Sequence, residues 1–220
     1  MTGFRYAVFI AEDDPGSRLS LEASLKKWGY DVTTAVDGNA AWEVLQKNDS
    51  PRLAILDWEM PGLTGVEVCR KVRSSVGRDY VYIAFLTGRF LKEDIIEGFD
   101  AGADDFITKP FNPRELECRL RAAERILDLH AELGAIYNSS PMAMILLDRD
   151  CRIKNLNPTG ARIAGLSNGG SSGATIGESL RCVHSQICSP ENTRMGACWP
   201  ACWNVSSPRH NAREKSPEKR

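Results

Sequence analysis

Residues 6–16 read Tyr6-Ala7-Val8-Phe9-Ile10-Ala11-Glu12-Asp13-Asp14-Pro15-Gly16, an apolar run that leads directly into acidic residues and a proline. A short run rich in β-branched and aromatic residues is typical of a strand that helices cover on both faces. The proline suits the first turn of a helix, where its missing N–H costs nothing. The stretch therefore predicts a buried strand, an acidic turn and then a helix.

The same unit repeats along the first half of the chain. Strands are predicted at Tyr6 to Ala11, Asp31 to Ala35, Leu53 to Leu56, Val81 to Leu86 and Asp105 to Thr108. Helices are predicted near 15–28, 38–47, 64–74, 89–98 and 112–130. Alternating strands and helices indicate an α/β domain with a parallel sheet. In such sheets, functional groups gather beyond the carboxyl ends of the strands.

Charged and hydroxyl side chains stand at those strand ends. The triplet Glu12-Asp13-Asp14 follows the first strand and Asp57 the third, while Thr87 with the small Gly88 follows the fourth and Lys109 the fifth. Carboxylates so close repel one another unless a cation lies between them, and an all-oxygen set of ligands suits Mg²⁺. The sequence therefore predicts a magnesium site at this edge.

The set of side chains fits phosphoryl transfer to a carboxylate, which needs positioning and charge neutralisation rather than covalent help. Asp57 would be the nucleophile, Mg²⁺ and Lys109 would neutralise the phosphoryl oxygens, and Thr87 would donate its hydroxyl to the attached group. Each residue also has a simpler interpretation. Asp13 or Asp14 could cap the first helix and Thr87 the fourth, and Lys109 could be a solvated loop charge.

Taken together, Glu12-Asp13-Asp14, Asp57 with Met60-Pro61-Gly62, Thr87-Gly88 and Lys109-Pro110 resemble the receiver domain of bacterial response regulators, over roughly residues 4–125. The resemblance implies a flavodoxin-like, doubly wound, five-stranded parallel sheet with strand order 2-1-3-4-5. It also implies that the phosphoryl group comes from a histidine on a partner kinase.

The resemblance further implies a set of metal ligands. Mg²⁺ would be held by Asp13, Asp57 and the main-chain carbonyl of Glu59, and Glu12 would reach the ion through water. Asp14 is an alternative ligand, because three acidic residues stand in a row. We favour Glu12 with Asp13, because the proline then opens the helix directly after Asp14.

The resemblance also implies a two-state switch in which Thr87 moves toward the phosphoryl group and Phe106, on the fifth strand, turns inward. Phe106 has no hydroxyl, so switching would depend on packing. The surface of the fourth helix, fifth strand and fifth helix would carry the signal outward.

Two apolar stripes run along the last predicted helix of this domain and its continuation. The inner stripe is Leu116, Leu120, Ala123 and Leu127, and the outer stripe is Ile126, Leu129, Leu133 and Ile136. The inner stripe would pack on the sheet, and the outer stripe could form a coiled seam with a second copy of the chain. Alternatively, the helix ends near His130 and folds back, and the pattern favours neither.

The residues from Ile136 to Met144, Leu147 to Asp150 and Asn157-Pro158 resemble the opening of a PAS sensor domain. Strands are predicted at Met142 to Leu147 and Arg152 to Leu156, and a helix at Pro158 to Gly165. The three later strands of that family have no clear counterpart. The second, smaller α+β region is therefore predicted to be a partial or atypical PAS-like domain.

Four cysteines crowd the end of that region: Cys182, Cys188, Cys198 and Cys202. Four thiolates could hold zinc or an iron–sulfur cluster, but the spacing lacks the usual close pair. Reduced thiols packed beside Trp199 and Trp203 are favoured. The predicted organisation is a receiver domain (1–125), a helical linker (126–137), the PAS-like domain (138–203) and a disordered tail (204–220).

Composition narrows the function. The net charge of -1 argues against direct nucleic acid binding, and no apolar run is long enough to span a membrane, so a cytoplasmic location is expected. We expect a two-component response regulator whose partner is a sensor histidine kinase or a phosphotransfer protein. We also expect a homodimer, and phosphorylation would switch its assembly or its binding to partners. Its only chemistry would be self-phosphorylation and self-dephosphorylation. The alternatives are the front part of a larger hybrid sensor or output protein, and a phosphorylation-independent adaptor with a metal- or redox-sensing C-terminal region.

Overall fold

The computed structural model describes residues 6–75, 79–88, 92–149 and 152–164. The chain divides into two compact units, Met1–Asn138 and Ser139–Arg220. Each unit is described by itself.

The first unit is built on a five-stranded parallel sheet in the order β2-β1-β3-β4-β5, which confirms the predicted fold class and strand order. The strands are β1 (Ala7–Ala11), β2 (Asp31–Ala35), β3 (Leu53–Asp57), β4 (Tyr82–Thr87) and β5 (Asp105–Thr108). The predicted strands differ from these by a residue at some ends. The central strand β3 is buried along its whole length, as a continuous apolar run predicts.

Five helices cover the two faces of this sheet. They are α1 (Pro15–Trp28), α2 (Gly38–Leu45), α3 (Gly65–Ser74), α4 (Lys92–Asp100) and α5 (Pro113–Ser139). Helices α1 and α5 contribute to one buried cluster, and α2 and α3 contribute to the cluster on the opposite face. Both faces are thus shielded from water, and the carboxyl edge of the sheet is left to carry polar groups.

Two helices next to that edge begin with well-formed caps. The Asp14 carboxylate accepts a hydrogen bond from the Ser17 amide at the start of α1. Thr64 and Glu67 form a reciprocal capping box at the start of α3. Such caps satisfy amides that have no partner within the helix, so they fix where each loop ends and its helix begins.

Helix α5 decides between the two alternatives for the end of the domain. It continues without a break to Ser139, so the interpretation that it ends near His130 is wrong. The inner stripe is buried against the sheet, whereas the outer stripe is between 41% and 63% exposed. The helix continues because no proline interrupts residues 114–139 and its single glycine, Gly134, is tolerated within a helix of this length.

The described part of the second unit is a two-stranded antiparallel sheet followed by a helix. It contains β6 (Ile145–Leu147), β7 (Ile153–Leu156) and α6 (Pro158–Ala164). The predicted strand from Met142 is too long. The side chain of Asn157 accepts a hydrogen bond from the Met144 amide at 2.8 Å and donates one to the Met142 carbonyl at 2.8 Å, so these two backbone groups bond to a side chain.

Several predictions fall outside the described residues. They include the cysteines Cys182, Cys188, Cys198 and Cys202, the tail 204–220, and the first residues of the predicted fourth helix. The domain boundaries proposed above remain predictions.

Candidate functional site

The carboxyl edge of the sheet brings the predicted site residues together. Asp57 ends β3 and is paired in register with Leu86, one residue before the end of β4 at Thr87. The Lys109 amide donates a hydrogen bond to the Thr87 carbonyl at 2.9 Å, which holds the loop after β5 against the end of β4. Parallel strands of similar length therefore place an acid, a hydroxyl and an amine at one edge.

The Lys109 ammonium lies between two carboxylates. Its Nζ is 2.8 Å from Oε1 of Glu12 and 2.7 Å from Oδ2 of Asp57. Lys109 is thus paired and partly buried instead of being a solvated loop charge. Ionised groups at this distance form hydrogen bonds stronger than those between neutral partners, so the amine is held next to the Asp57 carboxylate.

The pKa values of both partners respond to this environment. Burial raises the pKa of Glu12, and the nearby charge of Asp57 raises it further, while the hydrogen bond from Lys109 acts in the opposite direction. Burial lowers the pKa of Lys109, but the hydrogen bonds to Asp57 and Glu12 outweigh it, and the net pKa is raised. Lys109 therefore stays cationic at neutral pH.

Three carboxylates converge at this point. One oxygen from each of Glu12, Asp13 and Asp57 lies within 4.8 Å of the others. Because Lys109 supplies one positive charge against three carboxylates, the cluster keeps a surplus of negative charge that a divalent cation would balance. Oxygen ligands in this number fit Mg²⁺, with water completing the coordination.

Asp14 does not join this cluster, because its carboxylate caps α1. The hydrogen bond from the Ser17 amide lowers the pKa of Asp14 below its ordinary value.

Glu59 lies exposed in the loop between β3 and α3, and Thr87 is 3% exposed at the end of β4. An added Cβ at Gly88 would meet no atom within 4 Å, so there is open space next to Thr87. The roles of Glu59, Thr87 and Gly88 remain predictions.

Phe106 packs among aromatic rings beneath this edge. Its ring centroid lies 6.3 Å from that of Trp58, 5.5 Å from that of Phe85 and 4.8 Å from that of Phe99. The prediction identified Phe106 but missed Trp58, which follows Asp57 directly and is only 6% exposed. A tryptophan continuing a buried strand was the available signal.

A doubly wound sheet that carries an acidic triad and a lysine at its carboxyl edge defines the class of receiver domains. A family model described as "Response regulator receiver domain" matches residues 8–121, and the chain belongs to this family. A model described as "PAS domain" matches residues 131–197, which confirms the second resemblance.

Relatives of known sequence support the same assignment. The transcriptional regulatory protein YrkP of Bacillus subtilis is 42% identical over 127 residues, which are 58% of this chain and 53% of that protein. The aerobic respiration control protein ArcA of Escherichia coli is 41% identical over 129 residues, which are 59% of this chain and 51% of that protein. The chain thus matches about half the length of these relatives.

Solved structures show the same fold. A response regulator from Chloroflexus aurantiacus is 34% identical with a TM-score of 0.52, and the match covers 57% of this chain and 99% of that one. The chemotaxis protein CheY4 of Vibrio cholerae is 32% identical with a TM-score of 0.50, covering 54% of this chain and 98% of that one. Within the described ranges, no helix is both long and apolar enough to cross a membrane.

Proposed function

We propose that this chain is a two-component response regulator in which Asp57 accepts a phosphoryl group from a sensor histidine kinase or a phosphotransfer protein. The observation that carries the proposal is the position of the Lys109 ammonium, 2.7 Å from Asp57 within a cluster of three carboxylates. The family to which the first unit belongs supports it.

In the proposed reaction an Asp57 carboxylate oxygen attacks the phosphorus atom of a phosphohistidine. An oxygen–phosphorus bond forms, the phosphorus–nitrogen bond breaks, and the leaving imidazole keeps the electron pair. Lys109 neutralises charge on the phosphoryl oxygens, and the Thr87 hydroxyl donates to the attached group. Mg²⁺ held by Asp13, Asp57 and the carbonyl of Glu59, with Glu12 acting through water, would supply further charge neutralisation.

The test uses acetyl phosphate and Mg²⁺ as donor and metal. Intact mass measurement should show one added phosphoryl group on the wild-type chain and none on Asp57→Asn. A matched control is Asp31→Asn, because Asp31 is an exposed aspartate at the start of β2, on the opposite edge of the sheet. An added phosphoryl group that persists in Asp57→Asn would contradict the proposal.

Signal output is proposed to pass through a homodimer formed by α5. The outer stripe repeats at spacings of three and four residues, as the a and d positions of a two-stranded coiled coil do. All four of its side chains are substantially exposed in the single chain. A second copy would present the same repeat, so two outer stripes can bury one another and phosphorylation can act on their association.

The protein is proposed to act in the cytoplasm without further catalytic activity and without direct binding to nucleic acid. The near-neutral balance of 28 basic and 29 acidic residues supports the last point. Because the chain covers about half of its curated relatives, a longer natural protein with a separate output domain is the second candidate. Sequencing of the complete reading frame would distinguish the two.

A further inference from the structure

Arg18 reaches from α1 back to the acidic turn that follows β1. Its guanidinium Nη1 donates hydrogen bonds to the main-chain carbonyl of Glu12 at 2.7 Å and to that of Asp13 at 3.1 Å. The residue is half-buried and lies one turn into the helix. One side chain thus holds the backbone of two consecutive residues.

Those two residues supply two of the three carboxylates in the cluster with Asp57. The start of the turn is anchored by the Glu12 amide, which donates a hydrogen bond to the Ala35 carbonyl at 3.2 Å. The end of the turn is anchored by the cap that Asp14 makes with the Ser17 amide at 2.7 Å. Arg18 holds the peptide groups between these two anchors.

We propose that Arg18 is a positioning residue for divalent cation binding at this cluster. By fixing the Glu12 and Asp13 carbonyls it keeps the two carboxylates directed at the site before the ion arrives, which lowers the ordering cost of binding. The inference rests on the proposed function, since the ion concerned is the one that would assist phosphorylation of Asp57.

The proposal predicts an effect opposite in sign to simple electrostatics. A cation near the cluster repels Mg²⁺, so the loss of the Arg18 charge alone would make the ion bind more tightly. The loss of the two hydrogen bonds would loosen the turn and make it bind more weakly. The direction of change in Arg18→Ala therefore separates a positioning role from that of a bystander charge.

The experiment is calorimetric titration of Mg²⁺ into the full chain and its variants. We expect Arg18→Ala to weaken binding about tenfold, as the loss of supporting contacts around a metal site typically does. Arg18→Lys keeps the charge and a donor group on a shorter side chain, and should lie between Arg18→Ala and wild type. The matched control is Lys27→Ala, which removes an exposed cation from the last turn of the same helix and should not weaken binding.

A second measurement separates positioning from general damage to the fold. Phosphorylation of Arg18→Ala by acetyl phosphate should be slow at low Mg²⁺ and return to the wild-type rate when Mg²⁺ saturates the site. A partly unfolded protein would not recover in this way. Tight binding by Arg18→Ala, equal to or above that of wild type, would overturn the inference and leave the proposed function standing. Failure of the wild type itself to bind Mg²⁺ would overturn both.

Discussion

Glu12 and Lys109 show how a buried charge is tolerated at this site. Glu12 is 1% exposed, and an ionised carboxylate so deeply buried is costly unless a partner compensates it. Lys109 provides that partner while also holding Asp57. The same ammonium therefore stabilises the buried Glu12 carboxylate and provides the positive charge that phosphoryl transfer to Asp57 would require.

Gly98 provides a test of close packing at a single residue. A Cβ added at Gly98, in α4, would lie 2.3 Å from the Phe106 ring and 3.0 Å from the Trp58 ring. Gly98→Ala should therefore lower the free energy of unfolding by about 1–3 kcal/mol, because overpacking moves well-packed rings. Urea denaturation measures this change.

The matched control for Gly98 is Gly134, which lies within α5 and whose added Cβ would meet no atom within 4 Å. Gly134→Ala should raise the stability by up to about 1 kcal/mol, because alanine is the better helix former. Equal effects of the two substitutions would show that helix propensity, and not the contact with Phe106, governs Gly98.

At the scale of elements, α5 joins a buried face to an exposed one. Tyr6 donates a hydrogen bond to Asp128, and the ring of Tyr80 stacks on His130 with centroids 4.1 Å apart. The helix is thus tied to its own domain as far as His130. Beyond this point most of the described residues of α5 are exposed, and they include Leu133 and Ile136 of the outer stripe.

The coiled seam predicts a specific pattern of charge complementation. In a parallel pair Leu133 would face Leu133 of the second copy, so Leu133→Glu and Leu133→Lys should each weaken self-association. An equimolar mixture of the two variants should form a mixed dimer. Analytical ultracentrifugation, with and without acetyl phosphate and Mg²⁺, measures these states.

The control pair for the seam is Leu19→Glu and Leu19→Lys, because Leu19 is a leucine of similar exposure, 65%, that belongs to α1 and not to the outer stripe. These variants should associate as wild type does. A mixture of the Leu133 variants that stays monomeric while wild type dimerises would exclude a parallel seam.

At the scale of the whole molecule, buried phenols link stability to alkaline pH. Burial, followed by the negative charges of Asp105 and Asp104, raises the pKa of Tyr82 from its ordinary value of 10.0 to about 12. A pKa that is higher in the folded state means that the unfolded chain loses its proton first. The stabilisation that the protonated Tyr82 phenol contributes is complete below pH 10 and disappears as the pH rises through about 12.

The free energy of unfolding should therefore fall by roughly 2–3 kcal/mol on account of Tyr82 between those pH values, at 1.36 kcal/mol per unit of pKa. Urea denaturation across this range, with tyrosinate absorbance followed in parallel, measures the change. Tyr82→Phe should show a shallower decline, because its ring cannot ionise. An identical decline in the variant would assign the alkaline loss to other groups.

The sequence by itself determined the order of strands and helices and the edge at which Glu12, Asp57 and Lys109 meet. It could do so because periodicity is a local property, and because parallel strands direct all their carboxyl ends to one edge. The sequence also predicted both apolar stripes of α5, but it did not predict the residue at which the helix ends.

Only the tertiary structure decided which atoms meet. The Arg18 bonds to the acidic turn, the contact of Gly98 with Phe106, and the capture of the Met144 amide by Asn157 all depend on side-chain directions that a local pattern does not contain. Hydrogen-bond partners and close packing are fixed only in the folded chain. Each donor bonds to an acceptor, and each ring packs against a group, that the surrounding elements place within reach.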